Sequence, residues 1–294
     1  MNDKIIRTSR KTERRPGLAA VLSLAAPGLG QIYSGSPTRG AAFLLLCIVP
    51  LWALPFYVLL TGKQAIGTLF IVSCAAVCAA GIASCLHAFL ATKKKPEIRA
   101  ARYNSVPFYV LYAPVAWAAM AGSLFTFFSF FPLSQVGPAD SGPSLPRGQI
   151  ILVNRLADKK FSPGDLVMTL DGGVFRVIAL SRDRAALRQG MPVINGEPLK
   201  HRVPSDAEAS GLRPGSTENL YWEKNGDREY AVEQELPKKT VEAAAGVPLK
   251  QNQLFLARDN RIGRDWHRVV SRDGIAGTVE PLLPVLWRIS WLSQ

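Results

Sequence analysis

VPLKQNQLFLARDNR, from Val247 to Arg261, is the stretch on which the reading of this chain turns. Its centre is a short apolar run closed by Lys-Gln-Asn on one side and by Arg-Asp-Asn-Arg on the other, which predicts a strand entered and left through turns. Five earlier stretches have the same build: GQIILVNRL from Gly148, GDLVMTL from Gly164, GVFRVIAL from Gly173, VINGEPL from Val193 and REYAVEQEL from Arg228. Gly, Pro, Asp and Asn turns separate them, and no long amphipathic helix stands out between Arg147 and Glu280. The segment SQVGPADSGPSLP, Ser134 to Pro146, is a Pro/Gly/Ser-rich boundary. Residues 134–294 are therefore expected to form one all-β, mostly antiparallel domain.

The chain ahead of that boundary is of another kind. Three apolar runs, Ala41 to Leu60, Ile66 to Leu90 and Phe108 to Phe131, each reach or exceed the ~20 residues that a membrane-spanning helix needs. Buried helices of a large soluble core are the alternative, and three nearly charge-free stretches in so short a segment argue against them. Residues 1–16 read as a basic cytoplasmic tail and 17–133 as a multi-span helical membrane region. No cleavable leader is expected, because Met1 to Pro16 is long and highly charged and no small-residue cleavage pattern follows it.

Charge gives the sidedness. Before Ser134 there are 13 basic residues against the acids Asp3, Glu13 and Glu97, a balance of +10, while the remainder holds 22 against 19, only +3. The basic excess follows the membrane loops: Lys4, Arg7, Arg10, Lys11, Arg14 and Arg15 in the tail, and Lys93, Lys94, Lys95, Arg99 and Arg102 after the second run. Short loops rich in Lys and Arg face the cytoplasm. The third run then leaves residues 134–294 on the periplasmic or extracytoplasmic side of the inner (plasma) membrane. Two inside loops allow two crossings between them, so Gly17 to Tyr33, broken at Pro27, Gly28 and Gly30, is expected as a re-entrant or interfacial hairpin whose freed backbone groups find partners in protein or water. It resembles the Pro-Gly-x-Gly-Gln-x-Tyr-x-Gly motif of small two-span membrane modules.

Cys47, Cys74, Cys78 and Cys85 all fall in expected spans and read as small packing residues. Cys74, Cys78, Cys85 and His87 can be drawn as a metal site, but structural zinc pairs its ligands at tighter, repeated spacings. No metal and no cofactor is expected. With the charge assigned to topology and no glycine-rich phosphate loop, nucleic acid is not an expected partner; the lipid bilayer is.

The β segments, in order, resemble the type I signal peptidase family. Its series runs Ser-Met-x-Pro-Thr/Ser-Leu, Gly-Asp-x-Val, Lys-Arg-Val-Ile-Gly, an Ile-Asn-Gly-x-x-Leu hairpin, Val-Pro-x-Gly-x-x-Phe-x-x-Gly-Asp-Asn-Arg and Ile-x-Gly. Here PSLPRGQIILVN (143–154), PGDLV (163–167), FRVIAL (175–180), VINGEPL (193–199), VPLKQNQLFLARDNR (247–261) and IAG (275–277) keep the order and spacing. The resemblance implies a membrane-anchored serine peptidase that cleaves preproteins after small residues. Its Ser-Lys dyad needs a lysine kept neutral by an apolar setting, so that it can take the serine proton.

The reactive positions depart from the family. Counting back from Pro143, the nucleophile position holds Asp140; one deletion in the loop would bring Ser141 into register, and Ser141 otherwise reads as a turn serine. The base position holds Phe175, flanked by Val174 and Arg176, and arginine stays protonated. Lys159 and Lys160 lie in a charged turn, where a lysine keeps a pKa near ~10.4. Asp259, Asn260 and Arg261 survive as a scaffold motif, but Arg258 replaces the preceding glycine and the serine that would orient the lysine is missing. A Ser-His-Asp triad drawn from Ser141, His267, His201, Asp259 and Asp265 is a further enzyme reading, and only geometry can establish it.

Three functions stay open on these residues. One is a signal-peptidase-like pseudoenzyme that keeps a groove for preprotein or signal-peptide segments; another is a divergent active peptidase using Ser141; the third is an interaction module for envelope assembly or transfer. The apolar end PLLPVLWRISWLSQ, with Trp287 and Trp291, is expected to pack on the β domain or to rest on the membrane surface.

Overall fold

A computed structural model describes residues 11–61, 66–99, 101–156, 160–188, 190–212, 219–234, 246–262 and 265–282. The chain divides into two compact units, a helical one within Met1–Tyr57 and Thr68–Ser129 and a β one within Val58–Gly67 and Phe130–Gln294. Lys159, Trp287 and Trp291 lie outside the described residues.

The helical unit runs β1 (Lys11–Glu13), α1 (Pro16–Ala25), α2 (Leu29–Tyr33), α3 (Pro37–Thr61), α4 (Ile66–Lys94), β2 (Glu97–Arg99) and α5 (Val106–Phe130). Stretches 37–58, 67–94 and 106–130 are long and apolar enough to cross a membrane. They begin earlier or end later than the apolar runs alone suggest, because helix continues through Pro37 to Gly40 and through the terminal lysines of α4. The ten residues of α1 rise only ~15 Å, half a hydrocarbon core. Between α1 and α2 the chain turns at Gly28, whose φ of 88° only glycine adopts freely. A side chain there would also overlap the Gly40 carbonyl.

Backbone groups freed by this break are satisfied. Tyr112 Oη donates to the Pro27 carbonyl at 2.9 Å and Trp117 Nε1 to that of Ala25 at 2.7 Å. Gln31, fully buried, donates from Nε2 to the Ser84 carbonyl at 2.7 Å. Fully buried Ala19, Ser84 and Ala88 let the backbones approach closely around it.

The β unit contains β3 (Leu133–Gln135), β4 (Ile150–Asn154), β5 (Leu166–Thr169), β6 (Val174–Ala179), β7 (Arg184–Arg188), β8 (Met191–Ile194), β9 (Glu197–Pro198), β10 (Lys200–Arg202), α6 (Asp206–Leu212), β11 (Leu220–Asn225), β12 (Arg228–Glu233), β13 (Val247–Pro248), β14 (Gln253–Ala257), β15 (His267–Ser271) and β16 (Ile275–Pro281). Seven strands form the main antiparallel sheet in the order β15-β14-β6-β5-β16-β4-β3, with smaller sheets β13-β7-β8-β9 and β10-β11-β12. Three apolar helices followed by a mostly antiparallel β region is thus the architecture that the sequence leads one to expect. The short helix α6 is the one helical element between Arg147 and Glu280 among the described residues that lasts more than one turn.

Strand β6 is buried along its whole length, as expected of a strand covered on both faces, and the one charge in its run, Arg176, is paired inside the protein. Phe175 and Val177 join Leu254 and Leu256 in one core, while Ile178 and Ala179 join Phe255, Ala257, Tyr230 and Trp266 in the other. The Asn195-Gly196 turn, with φ values of 53° and 92°, closes β8 onto β9 in the two-residue hairpin that Asn-Gly favours. Gly277 stands at a register shift where β16 crosses β5, and any Cβ there would overlap the Asn154 carbonyl of β4. Substitution Gly277→Ala should therefore lower stability by ~1–3 kcal/mol through forced separation of β16 and β4, read as a drop in the unfolding midpoint of the detergent-solubilised chain; an unchanged midpoint would mean the strands part without cost.

Candidate functional site

The loop carrying Asp140 and Ser141 leaves β3 and returns to β4. It is folded by its own turns, with Asp140 N donating to Gly137 O and Gly142 and Leu145 exchanging backbone hydrogen bonds at 2.9 and 3.2 Å. A side chain at Gly142 would press on Asp259 Cβ and Asn260 N. The structure thus brings the 140–142 loop against the Asp259-Asn260 segment that follows β14. Ser141 is 6% exposed and its hydroxyl donates to the Pro138 carbonyl at 2.8 Å. Asp140 faces Arg258, whose Nε lies 3.3 Å from Oδ1. That is an ion pair by distance, although neither buried atom makes an aligned hydrogen bond.

Arg258 leads directly to Phe175. Its guanidinium carbon stands 4.8 Å from the Phe175 ring centre, and that of Arg268, on the edge strand β15, stands 4.0 Å from it. A ring only 2% exposed thus carries two cations against its π system. Arg268 is held there by Asp171, at 2.7 Å, and by Thr169. The Arg268 guanidinium and the Thr169 hydroxyl hold the Asp171 carboxyl far below the usual carboxylate range. Lys160 is exposed.

Behind this cluster lies a buried charged network. Arg176, next to Phe175 but on the other face of β6, donates from Nε and Nη2 to the two oxygens of Asp259 at 2.7 and 2.6 Å, and from Nη1 to the Gly164 carbonyl at 2.8 Å. It also stacks 3.9 Å over the Tyr230 ring. Tyr230 Oη donates to Glu223 at 2.7 Å, and Glu223, fully buried, accepts two bonds from Arg261 at 2.6 and 2.7 Å. Burial alone would raise the Glu223 carboxyl; the Arg261 guanidinium, with hydrogen bonds from Arg261, His201 and Tyr230, overrides it and holds the group at about 2. Desolvation and the neighbouring Glu223 carboxylate push the Tyr230 hydroxyl well above its ordinary value.

Asp259, Asn260 and Arg261 are thus placed together. Asp259 takes Arg176, Asn260 Oδ1 caps the Ile262 amide at 3.0 Å, and Arg261 takes Glu223. Of the histidines and acids drawn as a triad, His201 and Asp259 are taken up by partners outside it, while Asp265 acts on His267 only through its charge. His201 Nε2 lies 2.6 Å from Glu223 Oε2. Both Asp259 oxygens serve Arg176, and His267 packs on Trp266 and Phe255 with ring centres 4.5 and 5.9 Å away. Burial lowers the His267 pKa. Asp265 holds a left-handed φ of 62°.

Sequence reasoning missed Glu223, Tyr230 and Arg268. A signal for the first two was present: the two-residue Gly226-Asp227 turn pairs Asn225 with Arg228 and so sets Glu223 opposite Tyr230. For Arg268 the strand pairing itself is needed, since its partners Thr169 and Asp171 are distant in the chain.

No family model matches this chain, and no curated protein does. Among solved structures it is similar to a signal peptidase I from Enterococcus faecalis V583. The identity is 22%, the match covers 40% of this chain and 96% of that one, and the TM-score is 0.23. Such a likeness assigns no residue a role.

The network makes a stability prediction. Replacement Glu223→Gln leaves Arg261 buried without its counter-ion and should cost ~3–5 kcal/mol, measured by denaturant unfolding. Because the folded carboxyl is held at about 2 against 4.5 for the free group, the stability it contributes is complete above pH 4.5 and is lost as pH falls from there toward 2. The variant should lack that part of the acid loss; an identical pH profile for both proteins would remove Glu223 from the ionised network.

Proposed function

We propose that this chain is a multi-span protein of the inner (plasma) membrane whose β unit, residues 134–294, lies on the extracytoplasmic side as a signal-peptidase-like scaffold without a working Ser-Lys dyad. The scaffold holds an extended preprotein or signal-peptide segment, which adds as a strand to an open sheet edge. Strand β15, which carries Arg268, is such an edge among the described residues.

The observation that carries this reading is Phe175. The position aligned with the family's general base holds an apolar ring, buried and stacked against Arg258 and Arg268, and neither guanidinium gives up its proton near neutral pH. The aligned nucleophile position holds Asp140, turned toward Arg258. Ser141, the remaining hydroxyl, is spent on the Pro138 carbonyl.

The test is an assay of the purified chain on a preprotein with small residues before the cleavage site, beside Ser141→Ala and the double variant Asp140→Ser/Phe175→Lys. The wild type should bind a labelled peptide from that junction and leave it intact. In the double variant, a lysine placed where Phe175 is buried, with two guanidinium groups beside it, should have a pKa far below ~10.4 and be neutral at pH 7, so that some cleavage appears. Cleavage by the wild type that is abolished in Ser141→Ala would establish a divergent active peptidase instead. Absence of peptide binding would leave an envelope assembly or transfer module.

A further inference from the structure

In the helical unit, α1 starts beside the end of α4: Arg14 N donates to the Pro96 carbonyl at 2.7 Å, and β1 pairs with β2. Between these helices runs an open groove of about 570 Å³ lined by apolar side chains, among them Val21, Leu24, Ile82, Leu86 and Phe89. Gly81 also lines the groove, and a Cβ built on it meets nothing within 4 Å. A side chain at that position would enter the groove rather than the protein.

One end of the groove is basic. Lys93 lies one helical turn beyond Phe89, ~6 Å along the axis, and Lys94, Lys95 and Arg99 follow it, with Arg14 and Arg15 at the head of α1. The acids at this end are Glu13 and Glu97, which face each other across the β1-β2 pair. Arg14 is held in place by stacking 4.4 Å over the Tyr33 ring. An apolar groove that runs toward a cluster of cations at one end fits an amphiphile with an anionic head.

We propose that this groove is a binding site for one anionic phospholipid, with an acyl chain lying from Phe89 toward Leu24 and the phosphate at the Arg14 and Lys93 end. The proposal rests on the long helices lying in a bilayer and is independent of the peptidase-like reading of the β unit. In such a setting the hydrophobic effect does not select the chain, since lipid is as apolar as the groove. Selection comes from the head, where each basic residue near an anionic surface contributes ~1 kcal/mol, about a fivefold change in affinity.

The experiment is native mass spectrometry of the full chain in detergent, titrated separately with phosphatidylglycerol and phosphatidylcholine. The wild type should retain one phosphatidylglycerol, preferred by about fivefold for each cation engaged. Substitution Gly81→Leu should abolish retention while leaving the melting curve unchanged or raised, since glycine leaves a helix interior. Leu24→Trp, on the facing wall, is a second block that should do the same. The pair Lys93→Gln/Lys94→Gln should keep a lipid but lose most of the preference. Equal retention of the two lipids by the wild type, full retention by both groove variants, or occupation by an added apolar peptide in place of lipid would each overturn the proposal.

Discussion

Two guanidinium groups buried in the β unit constrain everything around them. Arg176 and Arg261 are each closed off from water, and an unpaired buried charge costs several kcal/mol, so each needs a carboxylate in bidentate geometry. Asp259 and Glu223 supply these. The pairs join β6 and the segment after β14, both of the main sheet, to β11 of the three-stranded sheet, and Tyr230 of β12 lies between them, under Arg176 and bonded to Glu223. A slip of one residue in β14 would exchange the faces of Asp259 and Arg261 and strand both cations. The network thus specifies register more than it adds stability, since well-packed apolar residues could replace such pairs at little cost.

That constraint also explains why the Asp259-Asn260-Arg261 motif can stand without catalysis. All three residues already serve the structure, through an ion pair, a turn bond and a second ion pair in that order. Asn260 further forms a parallel bridge to Glu233, so the segment joins the end of β12 as it passes. The structural roles of the three residues therefore account for the motif without any catalytic one.

The strands were legible because each is a short apolar run between turn residues, and the helices because their length and composition admit few other uses. The hairpin at Asn195-Gly196 was legible as well, since a two-residue turn determines which residues face each other, whereas the equal signal at Gly226-Asp227 went unread. Pairings that join distant segments were not legible. Nothing local tells that Arg268 reaches Asp171, or that Arg258 reaches both Asp140 and Phe175. The helix break at Pro27 and Gly28 was visible, but its partners Tyr112, Trp117 and Ser84 follow only from the packing of α4 and α5 around it.

On the proposed reading, the exchange at position 175 has a physical logic of its own. A lysine used as a base must be buried and neutral, and holding an ammonium-forming group in that state opposes its hydration at every pH below its ordinary pKa. A phenylalanine removes that cost and adds apolar burial in the core with Val167, Leu254 and Leu256. It also creates a face on which Arg258 and Arg268 can lie while staying charged. Arg258 in turn gives Asp140 a partner, where a serine would have offered none. The substitutions at 140, 175 and 258 therefore form one arrangement rather than three separate losses. Restoring lysine alone would place a neutral amine between two guanidinium groups with no serine to activate, which is why Asp140 and Phe175 have to be changed together for catalysis to return.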